Sequence, residues 1–416
     1  MNEGTSASVP PLVQCPVCSR DVPDGAYCGA CGAFLSSEVG NTVHRHEAYA
    51  ANPSQHVIHP SIVTTLFPHL PHRHRFPFQV AFGVTAAALL TLGLLRWTGP
   101  SIALAALAVP LMYLLQLYEV EVYEDEPLLI IGVTVAVGAV LGGIWAHFTG
   151  SEVTHILLQN STLGTTAGRL LEGGVLLPLG SQVLMLAGGL ALYFRRRYDE
   201  ALDGFTFGVA GALGFTAAST IVNLWPELNQ GFVSSAQQTD SVLETLQRGL
   251  LTPFINASLA GLICGALWLR RGPTRSLPYH PRSASAEGKS ETWGSQGPSQ
   301  QRPYHQLVVG LVPAIVVVVA IRVLLGLESV VYIDALTSAA ACSAAAILLL
   351  VWVRFALHYT LLTEAVEVPI GPEGPCSHCH RIVPRMAFCP YCGIATRSTP
   401  KSGTGRANRA VRQGAV

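Results

Sequence analysis

The chain has 416 residues, half of them hydrophobic and 12% charged, with a positive mean hydropathy and a formal net charge of zero. A soluble protein of this length does not tolerate so apolar a surface, which excludes an ordinary globular enzyme and points to an integral membrane protein. Zero net charge gives no electrostatic argument for a nucleic-acid partner, so none is expected and charge is read locally.

The first folded unit is expected over residues 12–36, where Cys15, Cys18, Cys28 and Cys31 make C-x2-C-x9-C-x2-C. Each C-x2-C pair suits a tight turn, and the hairpin between the pairs folds one turn over the other, so that four thiolates surround a tetrahedral Zn²⁺. Gly32 follows the last cysteine, where a residue free to take positive φ lets backbone amides turn toward the sulfurs. No secretory signal precedes Cys15, and paired disulfides need an oxidising compartment; structural zinc is therefore the expectation. Residues 37–75 carry His44, His46, His56, His59, His69, His72 and His74 among prolines and read as a solvated linker, with metal binding as the alternative.

Apolar runs of about 20 residues, the length that crosses a bilayer, fall at 77–96, 100–118, 128–148, 171–194, 204–225, 249–269, 306–326 and 333–357. The expected fold is an all-α polytopic membrane protein of about eight transmembrane helices, in a six-span part over 76–270 and a two-span part over 305–360. Arg73 and Arg75 precede the first span, Arg195, Arg196 and Arg197 follow the fourth, and Arg270, Arg271 and Arg275 follow the sixth. Loops 149–168 and 226–247 hold no Lys or Arg. The positive-inside rule then places both termini in the cytosol of a multi-pass protein of the cytoplasmic membrane, with lipid as its first partner. No ionisable residue is expected at depth in the bundle.

Residues 271–304 have the Pro, Ser, Gly and Gln content of a disordered cytosolic loop. A second four-cysteine unit is expected over 373–395, where Cys376, Cys379, Cys389 and Cys392 repeat the first spacing residue for residue. Val383-Pro384 and Ala387-Phe388 answer Val22-Pro23 and Ala26-Tyr27, and Gly393 answers Gly32. Two structural zinc ions per chain are thus expected, in modules that resemble the short zinc ribbons of bacterial membrane proteins and offer surfaces to protein partners. The tail 396–416 carries Arg397, Lys401, Arg406, Arg409 and Arg412 with no acid, and suits either a solvated tail or one lying on anionic lipid. Cys264 and Cys342 fall alone in apolar runs and read as packing residues.

Tyr118 to Pro127 (YEVEVYEDEP) precedes the third span, and Tyr198-Asp199-Glu200-Ala201-Leu202-Asp203-Gly204 opens the fifth, followed by Phe207-Gly208 and Gly214-Phe215. Over about residues 118–262 this order resembles the PrsW family of intramembrane metalloproteases. The resemblance implies a Glu-Glu pair and a Lys after the proline of the fourth span, a Glu after the Gly-Phe motif and a His in the sixth span. Here those places hold Ser181, Gln182 and Met185 after Pro178, then Ser219, then Asn256. No Asp, Glu or His occurs in 173–194, 204–226 or 249–269. A catalytic Zn²⁺ needs about three His or carboxylate ligands and an open position, which these neutral groups do not supply.

The expected function is that of a membrane scaffold, adaptor or peptide-binding pseudoprotease with no catalytic residues in its core. The alternative is an active protease of this type whose ligands come from Glu172, His147 or the acids of 119–126. Gly138-x3-Gly142, Gly204-x3-Gly208 and Gly261-x3-Gly265 are expected to bring helix backbones close together.

Overall fold

The computed structural model describes residues 11–16, 18–35, 48–66, 75–95, 97–120, 128–150, 171–195, 198, 200–225, 243, 246–270, 310–330, 335–364 and 370–398. The expected loop 271–304, the acidic stretch 121–127, residues 151–170 and 226–242 and the tail beyond Ser398 lie outside these residues.

The N-terminal unit is a hairpin of β1 (Leu12–Gln14) and β2 (Asp21–Pro23), with Val13 opposite Val22. A second hairpin follows, β3 (Ala48–Tyr49) and β4 (Asn52–His56), and then the short helix α1 (Ile62–Leu66). The apolar helices come next: α2 (Arg75–Leu94), α3 (Thr98–Val120), α4 (Leu128–Gly150), α5 (Leu177–Tyr193), α6 (Ala201–Asn223), α7 (Thr252–Leu269), α8 (Leu311–Val330) and α9 (Ala335–Glu364). The chain closes on β5 (Glu373–Pro375) paired with β6 (Ile382–Pro384).

Five stretches are long and apolar enough to cross a membrane: Leu129–Thr149, Glu172–Tyr193, Ala201–Asn223, Gln247–Leu269 and Leu336–Thr363. Three shorter apolar helices, Gln79–Leu94, Ala103–Tyr113 and Leu311–Leu327, occupy the other predicted spans. Leu129, Val133, Val137, Val140 and Ile144 recur every three or four residues on α4 and stay exposed, as a stripe that lipid covers.

Helix α6 is the centre of the bundle, touching α3, α4, α5 and α7. In lipid no hydrophobic force separates helix from solvent, so association depends on close backbone approach, and glycines provide it. A Cβ on Gly138 would meet the Gly211 carbonyl oxygen, one on Gly142 that of Phe215, and one on Gly214 that of Val135, so α4 and α6 touch backbone to backbone. On the other side of α6, a Cβ at Gly208 would come within 2.6 Å of the Ala260 carbonyl, and one at Gly204 within 2.6 Å of the Trp268 ring. The expected glycine pairs are therefore helix contacts. Gly138→Val should destabilise the bundle by about 3 kcal/mol, because the atom it meets is fixed backbone. Gly83→Val, where nothing lies within 4 Å, is the control and should be close to neutral; thermal unfolding in detergent reads both.

The Leu-Asp-Gly turn caps α6: the Asp203 carboxylate accepts the Glu200 backbone N–H at 3.3 Å, and the Glu200 side chain accepts a backbone N–H in return. Trp268, fully buried, donates its indole N–H to the Tyr198 carbonyl at 3.1 Å and holds the same corner from α7.

Two spans begin with a turn of wider π-type helix, Glu172–Leu176 before α5 and Gln247–Leu251 before α7. Each precedes a proline, Pro178 and Pro253, whose missing N–H leaves the carbonyl four residues back without its helical donor. In both cases that residue is a glycine, Gly174 or Gly249. The Gly174 carbonyl lies against Gly326 of α8, where any side chain would strike it.

Residues 48–66 depart from the solvated linker expected between 37 and 75. Tyr49, Ala50, Ala51, Val57, Val63 and Leu66 are buried in the same core as the helices. Helix α9 is also longer than its predicted span. At 30 residues it reaches about 45 Å, beyond the roughly 30 Å of a bilayer core, and its last turns are where 48–66 packs.

Candidate functional site

In the N-terminal hairpin the Ser19 N–H donates to the Cys15 carbonyl at 2.9 Å and the Cys15 N–H to the Arg20 carbonyl at 2.9 Å, folding Cys15 to Cys18 into a tight knuckle. Ser19 takes φ 57° to close it. The second knuckle repeats this with Gly32 at φ 73°, its N–H on the Cys28 carbonyl at 2.8 Å, while the Cys31 N–H reaches the Cys28 sulfur at 3.4 Å. The C-terminal unit copies each device: His380 at φ 60°, Gly393 at φ 73°, and the same bonds to Cys376 and Cys389.

Sulfur separations are 3.8 Å for Cys15–Cys31 and 3.7 Å for Cys18–Cys28, and 3.9 Å for both Cys376–Cys392 and Cys379–Cys389. None of the ten cysteines is in a disulfide. Four sulfurs about 2.3 Å from one tetrahedral ion stand about 3.8 Å apart, whereas a disulfide needs about 2 Å. All four ligand atoms of each set lie within 4.8 Å of one another, so both sets can hold a metal ion. Crowding divides the thiols. The sulfurs of Cys18, Cys28 and Cys31 pull Cys15 far below its ordinary value, and Cys15 first among its neighbours pushes Cys31 far above. Cys376 is drawn down by Cys389 and Cys392, while Cys389 is pushed up to about 11, chiefly by Cys376.

The two units pack on each other about a local two-fold. The Tyr27 N–H donates to the Pro390 carbonyl at 2.8 Å, and its counterpart Phe388 donates to the Gly29 carbonyl at 2.8 Å. Gly32 faces the Phe388 ring as Gly393 faces the Tyr27 ring, and Gly25 meets Pro390 as Gly29 meets Met386. Met386 thereby enters the N-terminal core beside Cys15, Val22 and Cys28.

This pair is tied to the helices through β3 and β4. The Ala395 N–H donates to the Ala50 carbonyl at 2.9 Å, and the Ala50 N–H to Nδ1 of buried His358 at 3.0 Å. Arg354, fully buried one turn earlier on α9, donates to Gln55 Oε1 at 2.8 Å, Thr64 Oγ1 at 2.8 Å and the His56 carbonyl at 3.1 Å. Its guanidinium lies 4.0 Å from the centre of the Tyr49 ring. Burial raises the Tyr49 phenol well above its ordinary range, with the Arg354 charge opposing. Sequence reasoning missed this joint; the available signal was Arg354 and His358 four apart on an otherwise apolar helix.

Inside the bundle, the positions singled out by the family resemblance are uncharged, and all but Met185 are polar. Ser181 and Ser219 turn their hydroxyls back to the Pro178 and Thr216 carbonyls, at 2.9 and 3.1 Å. The Asn256 amide donates to Thr216 Oγ1 at 2.7 Å, joining α7 to α6. Gln182, also buried, accepts Nε–H of Arg322 at 2.7 Å, and a second guanidinium nitrogen points at Met185 Sδ, 3.2 Å away. Arg322 overturns the expectation of no ionisable group at depth. It lies on α8, outside the stretches 173–194, 204–226 and 249–269 that hold no Asp, Glu or His, and is bonded to a residue 140 positions earlier.

Cys264 is buried between Gly189 and Gly208, and Cys342 receives the Gln247 amide at 3.0 Å, both as packing residues. Among the described residues, only the two cysteine sets gather three or more His, Cys, Asp or Glu in reach of one ion, and Glu172 and His147 join no such group. No curated protein and no solved structure shows significant similarity to this chain. Residues 126–286, which carry the capped turn, the glycine contacts and the Gln182 and Asn256 positions just described, match the family of PrsW family intramembrane metalloproteases.

Proposed function

We propose that this chain is a membrane binding protein whose protease-like core does not cleave, and whose two ribbons each hold one structural Zn²⁺ on the cytoplasmic face. The observation that carries the reading is the hydrogen bond from the Arg322 guanidinium to Gln182. The family's metal needs anionic or imidazole ligands, and the residues at the acid and histidine places are Ser181, Gln182, Ser219 and Asn256. They do not fit it. A divalent ion there would also stand beside a fixed positive charge. Two unit charges about 4 Å apart repel by about 4 kcal/mol at a protein's effective dielectric, and a divalent ion doubles that.

For the ribbons, tetrahedral sulfur spacing and closed four-thiol shells support zinc with no position left for substrate water. Their mutual contact needs an even number of crossings between them, which agrees with eight spans and not with five. A reducing cytosol keeps such thiols free, and the Arg distribution points to the same side.

Metal analysis of purified protein should give close to two zinc ions per chain and no third. Cells expressing candidate single-span substrates should hold the same substrate levels with wild type and with Gln182→Ala. Cleavage by wild type that a chelator abolishes would reverse the reading.

A further inference from the structure

Arg322 is 92% buried (8% exposed) on the row Ala314, Val318, Arg322, Gly326 that turns α8 toward the bundle. Its partners are an amide oxygen and a thioether, the second a weak acceptor. Among the described residues no carboxylate pairs with it. Beside it, Gln182 is 3% exposed, its oxygen occupied by Arg322 and its amide nitrogen without a hydrogen-bond partner. A buried cation lacking an acid and a buried amide N–H lacking an acceptor thus stand together, and both are costly unless an anion completes them.

Depth decides where that anion comes from. Gln182 is the eleventh residue of the 22-residue span Glu172–Tyr193, and Arg322 the twelfth of the 20 residues of α8. Both sit near mid-membrane, about 15 Å from either surface. Lipid headgroups stay at that surface, and a soluble anion would have to enter hydrocarbon. A carboxylate on a transmembrane helix is carried to this depth by the helix itself, and intramembrane charges are held by such pairing. Ile315 and Val319 on α8 and Val183 on α5, neighbours of the buried row and of Gln182, expose apolar surface along which such a helix can lie.

We propose that Arg322 and Gln182 form an intramembrane receptor for a carboxylate side chain, Asp or Glu, borne at mid-span by a partner's transmembrane helix. The guanidinium supplies charge and a forked pair of donors, and the Gln182 amide supplies a third. The proposal rests on the non-cleaving reading above and names what the core would bind.

The test uses full-length protein in lipid vesicles with two synthetic leucine-rich single-span helices, identical except for a central Glu or Gln. Association is followed by energy transfer, and probe integrity by mass spectrometry. Wild type should bind the Glu helix at least about tenfold more tightly than the Gln helix, the discrimination expected of a hydrogen bond between charged groups. Arg322→Gln should remove that preference and Arg322→Lys should keep part of it. Equal binding of the two intact helices by wild type overturns the inference, a comparison that needs no variant to fold. A Glu helix cut by wild type overturns the non-cleaving reading itself.

Discussion

Replacing Cys389 with serine should unfold the C-terminal ribbon and weaken the N-terminal one, although only the first loses a ligand. Structural zinc in modules of this size contributes on the order of 10 kcal/mol to folding. The C-terminal ribbon has little else: three-residue strands and a core of Cys376, Cys389 and Ile394 with their neighbours. When it unfolds, Met386 leaves the N-terminal core and the reciprocal bonds at Tyr27 and Phe388 are lost. Withdrawing a buried methionine costs about 2 kcal/mol or more, roughly thirtyfold in the remaining site's metal affinity. Chelator competition should therefore release the remaining ion at a lower chelator concentration than in wild type. Hydrogen exchange should rise over residues 12–35 as well as 370–398. An N-terminal ribbon with unchanged metal affinity and protection would show that the two fold independently.

Arg354→Met should free the hairpin and the ribbon pair from the end of α9 while leaving the bundle folded. The substitution keeps much of the side-chain volume but leaves Gln55 Oε1, Thr64 Oγ1 and the His56 carbonyl short of a donor, and removes the cation from the Tyr49 ring. Taking one member from a buried charged network costs about 3–5 kcal/mol. Limited proteolysis should then cut within 48–66, a segment buried in wild type, while the helices from α4 to α7 stay protected. Arg354→Lys should recover only part of the loss, because an ammonium cannot reach three acceptors with the geometry of the guanidinium fork. Unchanged protease resistance in Arg354→Met would mean that Ala50, His358 and apolar contact hold the joint unaided.

What was legible in the sequence is what short-range chemistry encodes. Cys15 to Cys31 form their cluster through knuckles closed within five residues, so spacing alone located both sets, and Gly32 and Gly393 took the positive φ their positions called for. The apolar runs marked the helices because hydropathy is a property of the segment itself. The glycine pairs marked close approach because a missing Cβ has few other uses in a helix, and Leu202-Asp203-Gly204 marked a helix start because a capping box spans four residues.

Which elements meet was decided by the tertiary structure. The contact of one ribbon with the other, the burial of 48–66 under α9 and the bond from Arg322 to Gln182 join residues roughly 140 to 360 positions apart. No periodicity encodes such pairings. In sequence Arg354 looks like the polar end of a span and His56 like part of a solvated linker; packing brings them together because a buried guanidinium must find acceptors. Arg322 likewise acquires its meaning only when α8 lies against α5 and its guanidinium meets the Gln182 amide oxygen.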